Sequence, residues 1–141
     1  LSFVNEKGEK ERPVVIHRAI SGSLERFIGI MIEHCAGAFP LWISPVQVAI
    51  LPIGEAHRVY AEELANTLRN ENFRVEILSD ESLGKRIRET KVKKIPYTFV
   101  VGDQEIESKT VSVESRDTGK LGTLSIEKIL TQLKEEQANK K

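Results

Sequence analysis

Val46-Gln47-Val48-Ala49-Ile50-Leu51-Pro52-Ile53 is the stretch from which the fold is read. Residues 46–51 form an apolar run broken only by Gln47. Such a run is too short to span a bilayer and suits a strand covered on both faces of its sheet. Downstream, the pattern is regular. Residues 55–70 place Ala61, Leu64, Ala65 and Leu68 on one helical stripe. Phe73-Arg74-Val75-Glu76-Ile77 alternates as a half-buried strand does. Residues 82–90 predict a short helix with Leu83 and Ile87 four apart, and Pro96 forces extended geometry on Ile95 before an apolar strand over 97–101. Gly102-Asp103 reads as a turn, with short antiparallel strands expected over 105–108 and 110–113. A last helix starts near Ser125, with Ile126, Ile129, Leu130 and Leu133 turned inward. The order β-α-β-α-β-β-β-α predicts an α/β domain over residues 46–137: a mixed, mostly parallel sheet flanked by helices, followed by a frayed tail at 138–141.

Working upstream, residues 38–45 carry prolines at both ends and read as a linker. Before them, 1–4, a polar turn over 5–12 and a β-branched run over 13–20 predict a hairpin. A helix from Ser23 to about Ala36 follows, stopped by Gly37. Its apolar residues, Leu24, Phe27, Ile28, Ile30, Met31, Ile32 and Cys35, go almost all the way round. A helix of that kind expects cover on most faces, more than a small isolated domain supplies. Residues 1–37 therefore read as a separate strand-helix piece.

The 141 residues contain 21 lysines and arginines and 21 aspartates and glutamates, for a formal net charge of zero. That balance excludes binding of nucleic acid by bulk positive charge. The charge is uneven, however. Residues 55–81 sum to −4 and residues 97–119 to −3, while 82–96 hold Glu89 against Lys85, Arg86, Arg88, Lys91, Lys93 and Lys94, a sum of +5. Two readings are open for this stretch: a solvated helix face, or a local phosphate-contact patch between acidic neighbours that discourage indiscriminate binding. The lone cysteine, Cys35, forms no internal disulfide, and Leu1 opens no basic-then-apolar leader, so a soluble cytoplasmic protein without membrane partners is expected.

The chain has no glycine-rich dinucleotide fingerprint, no phosphate-loop lysine motif and no cluster of metal ligands. His34 and His57 fall on predicted helices as surface or cap residues, whereas His17 sits in an apolar run, where a hydrogen-bonded core histidine is the plain expectation. Ser21-Gly22-Ser23-Leu24-Glu25-Arg26 leads into a helix N-terminus, which can accept an anion beside Arg26 or can be a simple cap with a surface ion pair.

His17-Arg18-Ala19-Ile20-Ser21-Gly22-Ser23-Leu24-Glu25-Arg26-Phe27-Ile28-Gly29 resembles the third signature motif of class II aminoacyl-tRNA synthetases, most closely that of the threonyl enzymes. Gly37-Ala38-Phe39-Pro40-Leu41-Trp42-Ile43-Ser44-Pro45-Val46-Gln47-Val48 is similar to the hinge into their anticodon-binding domain, and Gly84-Lys85-Arg86-Ile87-Arg88-Glu89, Lys94-Ile95-Pro96-Tyr97 and Val101-Gly102-Asp103 are similar within it. The resemblance runs over nearly the whole chain. It implies a remnant of an antiparallel catalytic domain over 1–37 followed by the anticodon-binding domain. The implied parent, expected to be a homodimer, activates threonine with ATP and Mg2+ and transfers it to tRNA(Thr).

By the same resemblance Arg26 contacts ATP and the adenylate, Ser23 lines the adenylate pocket, and His17 is one of three zinc ligands, the other two lying outside this chain. Asp80, Arg88, Glu105 and Glu114 correspond to anticodon contacts. The family more usually has asparagine at position 80 and arginine at 114, and Arg116 stands near enough to replace the latter. The resemblance places Lys85, Arg86, Lys91, Lys93 and Lys94 against tRNA phosphates. The chain alone, without the earlier motifs, is expected to bind the anticodon stem-loop, to hold no cofactor and not to aminoacylate. The rival reading is a stand-alone α/β module for RNA or a small ligand at the strand ends.

Overall fold

A computed structural model describes residues 1–140 and divides the chain into two compact units, Leu1–Met31 and the remainder from Ile32. In the first, β1 (Phe3–Val4) pairs antiparallel with β2 (Lys10–Glu11). Asn5 Oδ1 holds the turn by accepting the N–H groups of Lys7 and Glu9, each at 3.0 Å. The strand expected over 13–20 does not form. Those residues carry the β-branched signature but have no neighbouring strand among the described residues, and a ladder needs a partner. Next comes α1 (Leu24–His34), capped by Ser23, whose Oγ accepts the Arg26 N–H at 3.4 Å. None of its residues is buried.

The second unit is built on a five-stranded sheet of order β4-β3-β5-β6-β7. β3 (Val48–Pro52) lies parallel to β4 (Val75–Ile77) on one side and to β5 (Tyr97–Val101) on the other. β6 (Thr110–Ser115) and β7 (Gly119–Ser125) continue antiparallel. Only β6 is reversed, so four of the five strands run in one direction, the mixed, mostly parallel sheet flanked by helices that the sequence predicts. The crossovers are α2 (Arg58–Asn70), entered through a 3-10 turn at Glu55–His57, and α3 (Leu83–Val92). Strand alternation sends Val48, Ile50, Tyr97, Phe99, Val101, Val111 and Val113 to one face. There they meet Ala61, Leu64, Ala65 and Leu68 of α2, and Ile129 and Leu133 of α5 (Ile126–Ala138). The other face carries α3 over β3, while Ser112 and Glu114 on β6 stay partly exposed.

Two expectations need correction here. Residues expected as a strand over 105–108 belong to α4 (Asp103–Ser108). Glu105 makes it a helix start: its Oε2 accepts the Gly102 N–H at 3.0 Å, satisfying a donor that the first turn leaves open. The third strand of the run is β7, in which Gly119 and Gly122 have φ of +79° and +82° and the register shifts at Val113/Glu114. Those glycines and that bulge erase the alternation by which a strand is read.

The expected linker is packed into the second unit. Leu41 is 1% exposed in a 3-10 turn, and the Gln47 amide donates to Leu41 O at 2.8 Å and accepts Arg74 N–H at 2.9 Å. No helix among the described residues is long and apolar enough to cross a membrane.

Candidate nucleic-acid interface

A parallel sheet with crossovers in opposite directions leaves a crevice where the strand order reverses, at the carboxyl ends of the strands. Here that point lies between β3 and β5, and two loops meet across it. Ile53 N–H donates to Val101 O at 2.9 Å, and the Gly102 Cα hydrogen faces Ile53 so closely that a Cβ would stand 2.7 Å from Ile53 Cδ1. His57 completes the join. It caps the 3-10 turn that leads into α2, and it is buried: Nδ1 accepts the Gly54 N–H at 2.9 Å and Nε2 contacts Asp103 Oδ1 at 2.8 Å.

Asp80 and Glu105 stand at this end of the sheet, in the loop after β4 and in the first turn of α4. Glu114 does not join them. It pairs with Thr98 at the opposite end of β5. α3 links the two ends, running about 15 Å from the Asp80 loop. Arg88 is exposed midway, and Lys91 pairs with Glu114 at 3.2 Å. Beside that pair opens a groove of about 360 Å³ lined by Thr90, Ile95, Thr98 and Ser115.

The basic stretch is largely neutralised by acids that are distant in sequence or one helical turn away. Lys85 pairs with Glu81 at 2.6 Å, and Lys93 with Glu89 at 2.8 Å and Glu76 at 3.5 Å. These pairs are exposed and weakly bound, so they can exchange for phosphates. The Glu89 carboxylate, foremost among its neighbours, holds the Lys93 ammonium above the usual lysine range.

Lys94 sits at a φ of +53° and donates to Ala36 O. Arg88 alone in this stretch has neither ion pair nor side-chain hydrogen bond among the described residues.

Arg86 and Arg116 do not occupy the places expected of them. Arg86 is 4% exposed, and its Nη1 donates to Pro52 O at 2.7 Å and Leu78 O at 2.8 Å, tying the ends of β3 and β4; it is a brace, not a surface phosphate contact. Arg116 spends four donors internally, two on Asp117 at 2.8 Å each, one on Phe39 O at 2.9 Å and one on Lys94 O at 3.1 Å. It is not free to replace the arginine expected at 114.

Hydrogen bonding from Arg116 holds the Asp117 carboxyl below its ordinary value of 3.8, against partial burial that pushes the other way. A depressed carboxyl stabilises the fold above its unfolded pKa, and that contribution is lost as pH falls from 3.8 through the lower folded value. A carbon-detected titration should therefore find Asp117 ionising below 3.8, and Arg116→Gln should return it towards that value.

In the first unit Ser23 and Arg26 share the start of α1, while His17 is exposed outside any regular element. No group of three histidine, cysteine, aspartate or glutamate side chains among the described residues is placed to hold a metal. Zinc needs three or four protein donors, so these residues do not by themselves form its site.

The architecture is that of an α/β crossover module carrying an antiparallel edge, with a polar strip along α3. Residues 47–136 match the family described as the anticodon binding domain, and the chain belongs to that family. It is 49% identical over 137 residues to the threonine–tRNA ligase of Clostridium kluyveri, and 48% over 141 residues to that of Acetivibrio thermocellus. It is 32% identical, with a TM-score of 0.76 over 92% of its length, to the RNA binding domain of threonyl-tRNA synthetase from Cryptosporidium parvum Iowa II, of which it covers 33%. The chain spans 22% of the length of the ligases it matches.

Proposed function

We propose that this chain is the anticodon-reading part of a threonine–tRNA ligase and that its partner is the anticodon stem-loop of tRNA(Thr). The observation that carries the reading is Arg88: an exposed guanidinium with no partner among the described residues, set on α3 between Asp80 and Glu114, inside the segment that matches the anticodon binding family. Loop bases are unstacked and offer their edges. A guanidinium donates to their carbonyls and ring nitrogens, and carboxylates accept from their amino groups. Lys91 leaves Glu114 for a phosphate when Glu114 takes a base, and Lys85 and Lys93 shift from their own exposed pairs in the same way.

In the longer protein, which would activate threonine with ATP and Mg2+, this chain would contribute Arg26 and Ser23 to the adenylate pocket and His17 to a zinc site completed by residues outside it. Residues 1–37 would belong to that catalytic domain. A homodimeric, cytoplasmic parent is part of the same reading, and the chain alone would not aminoacylate.

The test is a titration of the 141-residue chain with the tRNA(Thr) anticodon stem-loop and with one whose middle anticodon base is changed. The first should bind more tightly, by about tenfold or more. Equal affinities would refute the reading.

A further inference from the structure

His57 ties the β3–α2 loop to the first turn of α4. Its Nδ1 accepts the Gly54 N–H, which leaves the ring proton on Nε2, and Nε2 donates to Asp103 Oδ1 at 2.8 Å. The histidine side chain is 9% exposed and the aspartate 90%. An ion pair or hydrogen bond to so exposed a carboxylate adds little stability. What it fixes is direction. α4 has six residues, too few to hold a helical turn without outside support. Glu105 lies two residues beyond Asp103, with Oε2 on the Gly102 N–H and Oε1 without a protein partner among the described residues.

We propose that His57 is a positioning residue for RNA reading: through Asp103 it sets the first turn of α4 so that the free oxygen of Glu105 faces a base. The proposal rests on the reading of Glu105 as a base contact. His57 itself touches no RNA.

The test uses the 141-residue chain and the two stem-loops described above. Asp103→Ala should weaken binding of the tRNA(Thr) stem-loop about five- to tenfold and reduce its preference over the changed one. Asp103→Asn keeps an oxygen to accept from Nε2 and should retain the preference. Bulk electrostatics predicts the opposite sign for the alanine variant, because removing an acid tightens RNA binding.

His57→Asn, which can still accept from Gly54 but does not reach Asp103, should behave like Asp103→Ala. If it fails to fold, the exposed Asp103 variants carry the test. A readout without RNA accompanies these titrations. Exchange of the Ile106 amide, which donates to Gly102 O at 3.1 Å, should quicken about two- to threefold in Asp103→Ala and not in Asp103→Asn.

Unchanged exchange, or an unchanged preference beside a discriminating wild type, overturns the positioning role alone. A wild type that binds both stem-loops equally overturns the anticodon reading, and the positioning role falls with it.

Discussion

Phe99→Ala should cost about 3–5 kcal/mol of folding stability, the largest loss expected from a single truncation in this chain. Phe99 sits in the middle strand of five, fully buried, with Ile50 beside it on β3 and Val113 on β6. Leu64 and Leu68 of α2 and Ile129 of α5 belong to the same core, which two helices and the sheet share. Removing it forfeits the transfer free energy of the ring and leaves a void that strand pairing prevents from collapsing. A domain of this size holds about 5–15 kcal/mol in all, so the variant should be near its unfolding threshold at room temperature. Urea denaturation of the two proteins with a common slope measures the difference. A loss below about 1.5 kcal/mol would mean that the site relaxes, and the account of a rigid core would be wrong.

Arg88→Ala should lower affinity for the tRNA(Thr) stem-loop by about 1–3 kcal/mol and relax discrimination at the base it contacts. Its stability should stay within about 0.5 kcal/mol of the parent chain, because the guanidinium is exposed and has no partner among the described residues. Lys85→Ala makes the contrast. Lys85 already holds Glu81, so its loss should weaken binding of both stem-loops alike and by less. Parallel titrations of the two variants with cognate and changed stem-loops decide the matter. If Arg88→Ala weakens both stem-loops equally, Arg88 is one more phosphate contact and the base contact must be sought elsewhere along α3.

The crossover half of the sheet was legible because its signals are local. The apolar run into β3, the stripe of α2, the alternation of β4 and the Ser125 cap of α5 each depend on neighbours within a few residues. What escaped depends on distant partners. Glu105–Ser108 lacks a helix's length and became helix through a carboxylate folded back on Gly102.

β7 hid behind two glycines and a bulge that only its partner strand reveals. The basic stretch looked like a phosphate patch because Glu76 and Glu114, which hold Lys93 and Lys91, lie 17 and 23 positions away in the chain. His57 was legible as a cap but not as a join, since Asp103 is 46 residues on. Arg86 and Arg116 carry the same charge as Arg88, and only the acceptors around them, carbonyls for Arg86 and carbonyls with the Asp117 carboxylate for Arg116, set them apart as braces.

The uncovered α1 bears on how the chain behaves in a tube. Leu24, Phe27, Ile28, Ile30 and Ile32 are each 45–60% exposed, and the formal charge of the whole molecule is zero. Copies approaching one another therefore meet no long-range repulsion, and each offers a sticky strip. Neutral pH is the condition of poorest colloidal stability for this chain. Moving the buffer a unit or two away from neutrality should extend the concentration range in which it stays dispersed.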